Sequence, residues 1–371
     1  MEKYLLKRML LLVPGIGAVV LTAYAQNNPE WTEQVFSRSV YPMLSSAVGF
    51  LPSLVGFSVA EWLLVLFVLL SVGYIIYYVR TFIVEKDDRG MVAYRGLVGA
   101  IAIVCVLYFS FTVLCGLNYY RYTFASYTGY DLESVDHNES ARTEQLERLC
   151  TELAQGMDAE REQLGDDADL YYPEAGEFEE YARQSVTAVQ MLAKRYPVLD
   201  RPLYSTPKPV VLSGLMSDAG IGGVFVPFTM ESNINTDTPF FTTPSTMAHE
   251  LAHQCGFMRE DEANFIAYLA CMETDDPLMR YSGYLLAFDH SISALRKVDP
   301  ESASKIMSGL SQAVQHDMEQ RRQFWTQHDG VISDISHSAN DVYLKANSQA
   351  DGVSSYGRMV ELLLAERMAT A

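Results

Sequence analysis

The chain has 371 residues, 49% hydrophobic and 20% charged, with 27 Lys+Arg against 46 Asp+Glu and a formal net charge of −19. That acidic balance excludes a nucleic-acid binder, which needs a basic footprint to displace counterions, and the apolar fraction excludes a disordered chain. Five cysteines with no CxxC pair exclude a disulfide scaffold and a cysteine-only zinc module.

The charge is unevenly spread. Residues 1–120 hold 8 Lys+Arg and 7 Asp+Glu, and residues 121–371 hold 19 and 39. The expected organisation is therefore a membrane region over 1–120 and a water-compatible domain over 121–371.

Three apolar stretches, about 9–25, 60–79 and 96–118, are expected to cross a bilayer as helices. Trp62–Val79 is an uncharged run of 18 residues and Gly96–Tyr120 one of 25, close to the roughly 20 residues that a spanning helix needs. The competing reading for these two is a buried core helix. The first stretch follows Lys3, Lys7 and Arg8 and contains Ala23-Tyr24-Ala25, so it reads as an uncleaved anchor or as a signal peptide. Positive loops stay inside. Arg80, Lys86, Arg89 and Arg95 thus place the second loop in the cytoplasm, with residues from about 121 onward extracytoplasmic in a multi-pass protein of the cell membrane. The 26–58 loop, with Trp31, Phe36, Tyr41 and Phe50, either lies along the outer interface or packs as an ordinary loop.

The second region reads as mainly α with a small β region. Asn138 is a candidate cap for a helix carrying Leu146, Leu149, Cys150, Leu153 and Met157 at helical spacing. Phe178, Tyr181, Ala182, Val189 and Leu192 repeat the pattern and stop before Pro197. Both stripes are core. Val210-Val211-Leu212 and Gly222–Phe228 suggest strands, the second ending or lying at an edge because Pro227 cannot donate to a ladder. Glu231, Asn233 and Asn235 alternate behind it.

Chemistry concentrates at 249–264. Thr243 caps and Pro244 opens a helix expected over about 244–255, with Gly256 as its stop. His249 and His253 are i and i+4, so they share a face and can hold one ion, while Glu250 stands beside it as a base for water. A catalytic zinc site takes a third protein ligand. Glu260 is the first candidate, on a second helix with Phe265, Ile266, Leu269 and Met272 on its apolar face. Glu262 is the second candidate, and Asn264, at i+4 from Glu260, is placed to orient a ligand. Two structural histidines on a core helix, followed by a solvated acidic helix start, are the plain alternative. Cys255 lies off the ligand face, and His137, His290, His316, His328 and His337 have no HxxxH spacing and are taken as non-ligands.

His249–His253 followed by Glu260-x-x-Ala263-Asn264 resembles the glutamate zincins, in which HExxH on one helix is completed by a Glu on the next. Similar pairings occur in thermolysin-like peptidases and in membrane-embedded CAAX-processing endopeptidases. A fuller resemblance, to the bacterial membrane family called domain of unknown function 3810, covers nearly the whole chain. It rests on the three apolar stretches, Gly220–Gly223, Pro227-Phe228, Asn233-x-Asn235-Thr236-Asp237, the run from His249 to Phe265, Arg280–Tyr284 and Ser355–Arg358. The resemblance implies an N-terminal transmembrane region followed by a zincin-like α+β metallopeptidase domain.

The expected function is a membrane-anchored zinc-dependent metalloendopeptidase acting on extracytoplasmic proteins or peptides. Zn²⁺ is the expected cofactor, with His249, His253 and Glu260 as ligands and Glu250 as the base. Tyr281, Tyr356 and Arg358 are candidate oxyanion donors, each equally readable as packing or surface charge. The 222–228 strand is a candidate for pairing with an extended substrate. A zinc-stabilised binding or sensing module without catalysis is the alternative, and a metal-free structural membrane protein is the third reading.

Overall fold

The computed structural model describes residues 10–130, 139–165, 168–346 and 357–370. The architecture is mainly helical with a three-stranded sheet. Asn138, proposed as a cap, and Tyr356 lie outside the described residues.

Helix α1 (Val13–Asn27) is 15 residues long and packs along a later apolar helix, with Gly15 against Cys105 and Gly17 against Phe109. The 26–58 segment, read as a loop, is largely helical. A π-helical stretch, Thr32–Val40, runs into α2 (Tyr41–Ser53). Phe36 and Tyr41 are buried there, so this segment packs as structure.

Two helices, α3 (Val59–Val84) and α4 (Arg89–Leu114), are long and apolar enough to cross a membrane. They form an antiparallel hairpin in which Gly96 and Gly99 sit against the rings of Tyr78 and Tyr74. Large side chains such as Leu64, Leu69, Ile76 and Val104 are exposed along them. Each helix differs from the stretch read in the sequence. α3 continues past Arg80, because a helix does not stop where hydropathy does. α4 starts at Arg89 and ends at Leu114, and the chain then tightens into a 3₁₀ turn, Gly116–Tyr120. Asn118 on that turn accepts a hydrogen bond from Ser37 Oγ at 2.8 Å, a polar contact that ends the apolar run four residues before the expected boundary at 118.

The second region is a helical stack. α5 (Glu139–Leu164) and α6 (Glu177–Arg195) bury the two stripes read from the sequence. Between α6 and the central helices lie β1 (Lys208–Pro209), α7 (Ser213–Asp218), β2 (Gly223–Val226) and β3 (Glu231–Ile234). The sheet order is β1-β3-β2, with β1 parallel and β2 antiparallel to β3, so β2 is an edge. The strand expected at 210–212 is confined to Lys208–Pro209, since the backbone amides of Val211 and Leu212 bond to the Glu61 carboxylate instead of a ladder.

At the centre lie α8 (Thr243–Gln254) and α9 (Glu260–Met272), packed on each other and on α10 (Pro277–Val298). Met247, Ala248, Leu251, Phe265, Ile266 and Leu269 are buried at this crossing. α11 (Pro300–Gly309), α12 (Gln312–His328), α13 (Val331–Ala346) and α14 (Gly357–Thr370) complete the described chain.

The boundary expected at 120/121 is bridged by buried polar contacts. The Arg121 guanidinium donates two bonds of 2.9 Å to Glu33. The Glu231 carboxylate accepts from the amides of Val59 and Ala60, at 3.0 and 2.7 Å, and from Lys208 Nζ at 2.5 Å. Tyr41 Oη donates to the Gln254 carbonyl at 3.1 Å.

Candidate metal centre

The α8 helix ends in a Schellman motif. Gly256 N–H donates to the His253 carbonyl and Phe257 N–H to that of Ala252, with Gly256 at φ +85°, a conformation that glycine adopts without penalty. At the other end Thr243, expected as the cap, is itself the first helical residue. Thr242 precedes it without a side-chain cap, and Ser282 Oγ accepts from the Ser245 amide instead. The turn at 257–259 then reverses the chain and places Glu260 in the first turn of α9, facing the imidazoles of α8.

His249 Nε2 lies 3.3 Å from Glu260 Oε2, and His253 Nε2 lies 3.7 Å from Glu260 Oε1. The three ligand atoms fall within 4.8 Å of one another. Tetrahedral zinc with bonds near 2.0 Å sets its ligand atoms about 3.3 Å apart, so this spacing suits such an ion. Each ring is held from behind: His249 Nδ1 is 2.7 Å from Asn264 Oδ1, and His253 Nδ1 is 2.8 Å from the Phe257 carbonyl. Both partners are acceptors, which places a proton on each Nδ1 and turns both Nε2 atoms toward Glu260.

The electrostatics follow from burying four ionisable groups together. Burial opposes the charged form of His249, but its bond to Glu260 and the charges of Glu260 and Glu250 outweigh this and raise its pKa to about 9. Burial, with His249 beside it, lowers His253 to about 4. Burial would raise Glu260, yet the two imidazoles lower it to about 2. Burial raises Glu250 to about 7, against the charge of His249. Glu250 is 4% exposed, and its Oε2 has no hydrogen-bond partner among the described residues. A buried carboxylate oxygen without a donor, beside two aimed imidazoles, fits a site that receives a cation and a water.

Glu260, not Glu262, meets the histidines. Glu262 turns away and accepts from the Phe124 amide at 3.1 Å and from Arg259 at 3.3 Å. Cys255 is buried, with its thiol on the Leu199 carbonyl.

The centre opens into a cavity of about 1000 Å³. Its walls are the Gly220–Phe228 segment, the end of α4 with Phe111 and Cys115, Tyr119 on the 3₁₀ turn, and Ser336, His337 and Asn340 of α13. Gly223 is packed so closely that a Cβ there would lie 2.7 Å from Glu250 Oε1 and 2.8 Å from Thr246 Cγ2.

Tyr281 and Arg358, two of the three expected oxyanion donors, are not in this cavity. Tyr281 is fully buried and donates to Asp317 at 2.9 Å, because it belongs to the α10 core and to a network with Arg161. Arg358 reaches Asp261, one residue along α9 and on another side from the ligand face. His337 and Tyr119, which do line the cavity, were not singled out. No spacing marks His337, and Tyr119 sits at the end of an apolar run where it reads as membrane boundary.

A family model described as protein of unknown function (DUF3810) matches residues 36–364. The chain belongs to this family. The match takes in the apolar hairpin, the α8–α9 pair and α13 together, so the DUF3810 family unit includes both the helices that could cross a membrane and the cavity. No curated protein and no solved structure matches the chain.

Proposed function

We propose that the protein is a membrane-anchored, zinc-dependent endopeptidase of zincin type. The observation that carries this reading is the convergence of His249 Nε2, His253 Nε2 and Glu260 within 4.8 Å, with both rings oriented from Nδ1 and Glu250 alongside. Zinc held there by His249, His253 and Glu260 would supply Lewis acidity and a water activated near neutral pH. Glu250, raised to about 7 by burial, accepts the proton of the attacking water and returns it to the leaving amine. Asn264 and the Phe257 carbonyl hold the imidazoles in one tautomer through the cycle. The free edge of β2 lines the cavity and offers main-chain groups to an extended polypeptide. His337 and Tyr119, which line the cavity, are the candidates to meet a developing oxyanion.

In this reading α1 joins α3 and α4 as a third span, the 80–95 loop is cytoplasmic, and the cavity lies on the outer side. The substrate is a protein or peptide outside the cytoplasm. The second reading, a zinc-stabilised sensing module, is favoured by the absence of Tyr281 and Arg358 from the cavity. It leaves the buried, partnerless Glu250 Oε2 without a purpose.

The test uses the full-length chain in lipid. Metal analysis is expected to give one zinc per chain, and a peptide library is expected to be cut by the wild type and not by Glu250→Gln. Zinc without cleavage by either form would leave the sensing module, and absence of metal would end both.

A further inference from the structure

Helix α13 has its polarity reversed for a helix packed on a protein. Ser333 is buried, and Ser336 and Asn340 face the cavity. The opposite side carries Val331, Ile332, Ile335 and Val342, which are 74%, 56%, 64% and 67% exposed. At 3.6 residues per turn Val331, Ile335 and Val342 form one stripe, with Asp334 and Asp341 at its margin. A polar inner face and an apolar outer face suit a helix whose outer neighbour is not water.

Three observations place that stripe beside lipid. The antiparallel α3–α4 hairpin brings Val59 and Leu114 to the same end, and this is the end where the cavity lies, since Phe111 and Cys115 share its wall with α13. Glu61, in the first turn of α3, accepts from the amides of Val211 and Leu212 at 3.1 and 2.7 Å. That bond fastens a second apolar group (Val211 75%, Leu212 44% and Leu215 62% exposed) to the level where α3 begins. The α7 segment then leads to Gly220, which lies against His337 of α13. Exposed apolar side chains thus stand on the hairpin, on 211–215 at the level where α3 begins, and on α13, whose inner face borders the cavity at the same end, and Trp62 at 56% exposure marks that level on α3.

We infer that α13 and the Val211–Leu215 segment form an interfacial collar that seats in the headgroup region of the bilayer around the hairpin's cavity-side end. The partner of this surface is lipid, and the inference does not depend on the peptidase reading. The collar holds the cavity mouth at the membrane surface.

The test is site-directed labelling of the full chain in lipid nanodiscs, in a Cys105→Ser background because the other cysteines are buried. An environment-sensitive fluorophore is attached at Val331→Cys, Ile335→Cys, Val342→Cys and Val211→Cys, and at Asp334→Cys and Asp341→Cys for comparison. Five of the six positions are exposed and Asp341 is half-buried in an ion pair with Lys345, so a circular-dichroism melt of each variant first confirms the fold. Quenching by lipids nitroxide-labelled near the headgroup is expected to be strong at the four apolar positions and weak at the two aspartate positions, with iodide in the water giving the reverse order. Iodide quenching of all six, with no effect of the nitroxide lipid, would overturn the collar. So would protection from both quenchers that disappears on dilution, since that is the signature of a second copy of the chain.

Discussion

The two sides of the cavity were assembled in different ways. The side formed by α8 and α9 draws its functional groups from sixteen consecutive residues, His249 to Asn264. The opposite side is gathered from the end of α4, the 3₁₀ turn, the β2 edge and α13, which are separated by more than two hundred residues of chain. On the first side, local rules set position: helical spacing aligns the imidazoles, a Schellman turn reverses the chain, and the next helix supplies the carboxylate. On the second side, tertiary packing alone brings the groups together. Residues on the first side should therefore govern whether an ion is held and a proton moved, and residues on the second how a polypeptide is received.

The sharpest separation is expected from Glu250→Gln, which keeps the shape and removes the base. Peptide cleavage should fall by about 10²–10⁴-fold with zinc content unchanged, as read by metal analysis and turnover on the same sample. Asn264→Ala should lower zinc affinity by about 10–100-fold by releasing His249 Nδ1, measured by competition with a chelator. Gly223→Ala crosses between the two sides, because its Cβ would press on Glu250 Oε1 and Thr246. It should reduce kcat by about tenfold or more with zinc retained, whereas Gly222→Ala, whose nearest neighbour is 3.9 Å away, should be tolerated. Equal losses in both variants would break the distinction.

A pH measurement sharpens it further. In the metal-free chain His249 is protonated below about 9, and a ligand imidazole must be neutral. Zinc binding should then expel a proton at neutral pH, and affinity should rise by about tenfold per pH unit up to about pH 9 before levelling. Calorimetry in buffers of different ionisation enthalpy reads this proton directly. The smallest effect is expected from His337→Ala on the far side, which should raise KM for peptide and leave zinc affinity unmoved. A loss of zinc there would show that α13 supports the ion itself.

The same contrast explains what the sequence disclosed. His249, Glu250, His253 and Glu260 were legible because i, i+4 spacing and an adjacent helix start are local signals, and Asn264 followed from i+4 to Glu260. The two core stripes on α5 and α6 were legible for the same reason. Tyr281 and Arg358 were misplaced because a motif-like neighbourhood says nothing about which core a side chain enters. Tyr281 was claimed by Asp317 and Arg358 by Asp261. The helical character of 32–53 was hidden by Pro42, Pro52 and Gly49, which read as loop until Phe36 and Tyr41 find their burial against the second region.

The buried pairs Arg121–Glu33 and Lys208–Glu231 have a practical corollary. The first crosses the 120/121 boundary, and the second lies beyond it while its Glu231 also holds the amides of Val59 and Ala60; stripping one partner from a buried ion pair costs about 3–5 kcal/mol. Severing the polypeptide after residue 120 would orphan Arg121 outright, and would deprive Glu231 of the helix terminus that it caps. A fragment starting there should show a broad, low-temperature melt in calorimetry. The larger, acidic part of this molecule has no autonomy: its hydrophilic bulk is as dependent on the greasy hairpin as an integral subunit is on its neighbour.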